Sequence, residues 1–180
     1  MKPYIALLRG INVSGQKKMP MADLRAMLEK LNLKNASTYI QSGNIVFSSD
    51  GNNTHILEDI IKTEIRNTFG FDVPVLVKSK SDFETVLKQN PYTDQEAIEK
   101  KQVYFVLLKE KPSPELVETF QKEAFANEKF FITDDCVYLF CQTGYGKAKL
   151  NNNLIERKLK VEATTRNHRT MLKLLEMARK

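Results

Sequence analysis

Hydrophobic and polar residues change their period several times along the chain. Residues 3–9 are apolar and β-compatible, and they give way to the polar stretch Gly10-Ile11-Asn12-Val13-Ser14-Gly15-Gln16-Lys17-Lys18. That change predicts a strand and then a loop. Leu24, Met27, Leu28 and Leu31 follow at the i, i+3, i+4, i+7 spacing of one buried helix stripe, with Pro20 suited to the first turn. Residues 38–41 and 45–47 predict two short strands around Ser42-Gly43-Asn44, whose types tolerate a tight turn. Leu57, Ile60, Ile61, Ile65 and Phe69 predict a second helix over 54–69, stopped by Gly70. Residues 73–77 close the set as a strand, and Pro74 marks it as an edge. The order is βαββαβ.

The same order then recurs. Ser81-Asp82-Phe83-Glu84 has the S-x-x-E form of a capping box and predicts a short helix over 81–89, broken by Asn90-Pro91-Tyr92. Residues 93–101 are charged and weakly patterned, which predicts a connector. Residues 103–108 form an apolar strand, and Ser113-Pro114 opens a helix through Val117, Phe120 and Ala124. Residues 130–133 and 136–141 predict a hairpin about Asp134-Asp135, followed by a helix over 150–159. Only residues 161–164 stand where a fourth strand belongs, before a last helix bearing Met171, Leu174, Leu175 and Ala178. The halves share element order and no clear residue-level similarity. The expected fold is therefore α+β, two tandem ferredoxin-like (α/β-plait) domains. The first covers 1–80, a helical connector 81–100, and the second 101–180, irregular at its C-terminal end and carrying an extra helix.

With 42% hydrophobic and 28% charged residues in a chain of 180, the composition supports a folded core. The longest apolar runs are strand-sized and the N-terminus shows no cleavable apolar leader, so the expectation is a cytoplasmic protein away from membranes. Cys136 and Cys141 lie five apart in one strand, on opposite faces, and read as two core thiols in a reducing compartment. Charge is uneven: residues 1–80 carry 11 lysines and arginines against 7 acids, 81–140 carry 7 against 12, and 141–180 carry 10 against 3. A basic C-terminal segment directs attention to an anionic ligand or nucleic acid.

Four polar segments could hold such a ligand. In the first loop, Arg9, Gly10, Asn12, Gly15 and Lys17 offer backbone N–H groups and positive charge before a helix start. The spacing matches neither the dinucleotide fingerprint nor a P-loop. Gln41, Ser42 and Asn44 form a polar cluster at the hairpin, although a turn needs those residue types for itself. Gly144, Tyr145, Gly146, Lys147 and Lys149 combine a flexible backbone, an aromatic ring and two cations. Thr165, Arg166 and Asn167 are expected at the positive start of the last helix. His55 and His168 are the only histidines, which rules out a histidine-rich metal site, and no metal is expected. No G-x-S-x-G elbow or acid pair beside a nucleophile stands out, so catalytic residues and cofactors stay unassigned.

Taken together, YIALLRGINVSGQKK, TYIQSGNIVF, Asn90-Pro91-Tyr92, GYGKAKL and ATTRN resemble the bacterial family called Domain of Unknown Function 1697. The likeness runs from about residue 3 to 175, and implies two ferredoxin-like domains in tandem and no established activity. Members often look like Gly-x-Gly-x-Ser-Lys-Leu where this chain has Ala148, and like Thr-Arg-Asn-Trp-Asn where it has His168-Arg169. The leading expectation is binding of a nucleotide, nucleic acid or phosphorylated metabolite through the glycine- and lysine-bearing loops. The alternatives are a small-molecule transferase or hydrolase with a site between the two domains, and a protein-interaction or dimerisation module. Monomer and homodimer both stay open.

Overall fold

A computed structural model describes residues 1–180 as an α+β protein with two four-stranded antiparallel sheets and seven α-helices. It divides into two compact units, Met1–Glu84 with Lys173–Lys180, and Thr85–Leu172. No helix is long and apolar enough to cross a membrane.

In the first unit β1 (Lys2–Leu8), β2 (Lys34–Tyr39), β3 (Asn44–Ser49) and β4 (Val75–Ser79) stand in the order β2-β3-β1-β4. The helices α1 (Met21–Lys30) and α2 (Thr54–Phe69) connect them. Strand alternation sends Tyr4, Ala6 and Leu8 to one face, where they bury against Leu24, Met27 and Leu28 of α1 and Leu57, Ile61 and Ile65 of α2. The boundaries of α2 follow from its ends. Asn53 accepts from the backbone N–H groups of His55 and Ile56, and Gly70 ends the helix at φ 80°. Pro74 immediately precedes β4, which pairs with β1 alone and is an edge as its proline suggests. Strand β2 starts four residues earlier than the apolar pattern indicates, because its residues are polar and half-exposed at the opposite edge.

In the second unit β5 (Val103–Leu108), β6 (Glu128–Ile132), β7 (Cys136–Cys141) and β8 (Ala163–Asn167) take the equivalent order β6-β7-β5-β8. Val106, Leu108, Val137, Leu139 and Cys141 bury against Phe120 of α5 (Pro114–Gln121) and Ile155 and Leu159 of α6 (Asn152–Leu159). The doubtful fourth strand is regular. It pairs with β5 from Tyr104↔Asn167 to Leu108↔Ala163.

Each fourth strand runs straight into a helix, β4 into α3 (Lys80–Lys88) and β8 into α7 (His168–Ala178). The stretch expected as a connector is therefore partly this helix, followed by α4 (Gln95–Glu99), whose N-cap Asp94 accepts from Ala97 N. The cap of α3 is Ser79, not Ser81: its Oγ accepts from Asp82 N at 3.2 Å and donates to the Asp82 carboxylate at 2.7 Å. Asn167 plays the same part for α7, its Oδ1 accepting from Thr170 N at 2.8 Å. The division between units falls inside these two helices, so the last eight residues belong with the first sheet.

Candidate functional site

The first loop is a small β-ribbon. Asn12 N donates to Lys17 O and Gln16 N to Val13 O, with Ser14 and Gly15 both left-handed at φ 50° and 73°. This is the two-residue turn a tight hairpin requires, and nothing lies within 4 Å of where a Cβ on Gly10 or Gly15 would stand. Asn12 is consumed structurally: Nδ2 donates to Met19 O and Gln41 O while Oδ1 accepts from Met19 N. Lys17 Nζ donates to Asp72 O at 2.7 Å, tying the ribbon to the segment before β4. The Arg9 backbone N–H donates to Pro74 O. The first two predicted segments thus meet at one end of the first sheet, where Asn44 Nδ2 also closes its own turn on Tyr39 O and Ser42 Oγ. Gly43 is required there, since a Cβ would stand 2.5 Å from Leu8 Cβ. The outward groups of this end are Val13, Lys18, Ile40, Gln41 and Ser42.

The third and fourth segments meet in the second unit. Tyr145 stacks on Tyr104 with ring centroids 4.8 Å apart, accepts from Asn152 N and donates to Thr165 Oγ1 at 3.4 Å. Thr165 in turn donates to Asn152 Oδ1 at 2.8 Å. Glu128 carboxylate accepts from Lys149 N and Leu150 N and fixes the loop that holds Gly144 and Gly146. This network spends the aromatic ring, the hydroxyls and Asn167, leaving Lys147 and Lys149 exposed. Thr165, Arg166 and Asn167 lie in β8 and not in the first turn of a helix, because their side chains alternate across the sheet. Arg166, opposite Phe105, is half-buried and donates from Nη1 to Thr165 O; burial lowers its pKa to about 10.

Aromatic residues do stand on the central strands of the second sheet, on the face away from α5 and α6. Phe105 and Tyr138 pack edge to face there, but both are fully buried, and Tyr138 Oη donates to Val86 O at 2.6 Å. They have no free face on which to stack a base. Burial also raises the Cys141 thiol to about 12, which makes it a core group and a poor nucleophile. No group of three or more His, Cys, Asp or Glu side chains stands close enough together to hold a metal.

A groove of about 690 Å³ lies elsewhere, on the face of the first sheet opposite α1 and α2. Sequence reasoning missed it. Pro3, Val46 and Ser48 line its floor, Asn35 and Ser37 one side, and Lys80 with Met177–Lys180 the rest. No Asp or Glu side chain lines it. Lys80 is half-buried and has no carboxylate or hydrogen-bond partner, whereas Arg179 is 3.5 Å from Glu84 and Lys180 is 3.8 Å from Glu176. Asn35 is left-handed at φ 53° and sits in a bulge, where the register slips between Lys34↔Ser48 and Ser37↔Val46. Bulges at sheet edges re-aim side chains, and this one turns a polar residue to the groove. Its residues come from positions 3, 35–48, 80 and 177–180, so no spacing could have joined them. The legible trace was only hydroxyls at Ser37 and Ser48, on a sheet face where apolar residues are the rule.

Among solved structures, the chain is similar to the conserved bacterial protein SP0830 from Streptococcus pneumoniae, with 25% identity and a TM-score of 0.76 over 98% of each chain. No curated protein matches it. Residues 1–138 match the family described as protein of unknown function (DUF1697), which spans the first sheet and most of the second, and the chain belongs to that family.

Proposed function

We propose that this protein binds a phosphate-bearing anion in the groove on the first sheet. The observation that carries the reading is Lys80, a half-buried residue whose ammonium has no counter-charge, in a groove lined by no acidic side chain. A cation with no protein carboxylate to neutralise it attracts an anion, and a hydrogen bond between charged partners is the strong kind. Arg179 and Lys180 line the same wall and are paired to carboxylates outside the groove lining. The strand order β2-β3-β1-β4, with both helical crossovers on one face, supports a ferredoxin-like plait for this unit, and β6-β7-β5-β8 for the second. Two free buried thiols fit a reducing, cytoplasmic setting.

Titration calorimetry with inorganic tripolyphosphate at low ionic strength tests the reading. A charge-assisted contact contributes about 1.5–3 kcal/mol, so Lys80→Ala is expected to weaken binding about tenfold or more. Lys62→Ala, at an exposed lysine of α2, is expected to leave it unchanged. No binding by the unaltered protein, or equal binding by Lys80→Ala, would refute the assignment.

A further inference from the structure

Resting on that reading, we infer that the anion is a nucleoside phosphate, seated with its base toward β2 and its phosphate toward Lys80. The groove is graded across the sheet. On the β2 side it presents the amide of Asn35 and the hydroxyl of Ser37; along the middle it presents Pro3, Val46 and the hydroxyl of Ser48, with Met177 in the wall; on the β4 side it presents Lys80. The order follows from register. Ser37 is opposite Val46 and Val46 opposite Ile5, while Lys34 is opposite Ser48 and Ser48 opposite Pro3. Ser79, the residue before Lys80, is opposite Tyr4 on the far side of β1.

Three strand spacings separate β2 from β4, roughly 14 Å, which is too wide for one phosphate to engage both walls. A ligand that uses the whole groove needs a polar, hydrogen-bonding end, a mainly apolar middle able to meet the one hydroxyl of Ser48, and an anionic end. A nucleoside phosphate has that order of parts: ring edge, ring face and sugar, phosphate. Arg179 belongs with the anionic end, because its contact with Glu84 of α3 holds it on the β4 side. The bulge at Asn35 places a group able both to donate and to accept where a base edge would be read.

The test compares ligands in the full chain by calorimetry: the four ribonucleoside 5′-diphosphates separately, tripolyphosphate, ribose 5-phosphate and a short single-stranded oligonucleotide. At least one diphosphate is expected to bind tenfold or more tighter than tripolyphosphate and ribose 5-phosphate. Met177→Gln and Asn35→Ala are expected to reduce that preference several-fold while leaving tripolyphosphate binding as it was. Lys80→Ala is expected to weaken both ligands. An oligonucleotide that competes and binds more tightly than any diphosphate assigns the groove to one nucleotide of a strand; weaker binding assigns it to a free nucleotide. Tripolyphosphate binding as tightly as every diphosphate overturns the nucleoside assignment and leaves the anion reading standing. Failure of all the ligands overturns both.

Discussion

Ile40 is left-handed at φ 50° and 51% exposed, an uncommon state for a β-branched residue. Its Cβ crowds the backbone, at a cost of about 1–2 kcal/mol, and an exposed side chain recovers little of that through packing. Asparagine tolerates this region, so Ile40→Asn is expected to stabilise the first unit by about 1 kcal/mol, read as a higher urea midpoint. An unchanged or lowered midpoint would mean that the isoleucine packs better than its exposure suggests. The residues proposed from sequence in the same loops divide by what their side chains do. Asn12 and Asn44 are taken up by backbone groups and Lys17 by a carbonyl, whereas Lys147 and Lys149, in the second unit, stand in solvent. Residue type and spacing identify a polar turn; they do not say whether its hydrogen bonds close inward.

At the level of elements, both units use one joint: the last residue of the edge strand caps the helix that follows, three residues on. Ser79→Ala and Asn167→Ala are each expected to cost about 1 kcal/mol, with the loss read by urea denaturation followed by far-ultraviolet dichroism. Ser81→Ala is expected to cost less, although the sequence alone favours it as the cap. The sequence misplaces this joint for a clear reason. Ser81-x-x-Glu84 carries the usual signature, but β4 ends at Ser79, so the helix starts at Lys80, one residue before Ser81. Helix α2 and strand β5 were legible to the residue, because apolar period and end signals agree. Strand β8 was not, because Thr164-Thr165-Arg166-Asn167 shows no apolar alternation: Thr165 and Asn167 serve networks on one side while Arg166 is half-buried on the other.

For the whole molecule, stability should depend on pH through His168. Its Nδ1 is buried without a hydrogen-bond partner beside Phe105, and burial lowers its pKa below the ordinary 6.5. The unfolded chain therefore takes up a proton at a higher pH than the folded one. The stability present above pH 6.5 is lost as pH falls from there through the folded value. His168→Phe is expected to flatten that fall in urea midpoints between pH 8 and 5; a slope unchanged by the substitution would assign it to other groups.

The return of Lys173–Lys180 to the first unit has a consequence for the order of synthesis. A ribosome finishes the first sheet early, then makes the whole of the second unit before it supplies Met177–Lys180 to the groove. Until then the half-built site has its floor and Lys80 but lacks one wall. The proposed ligand capture in that groove therefore requires residues made after the second unit, and a nascent chain without Met177–Lys180 is expected to lack it.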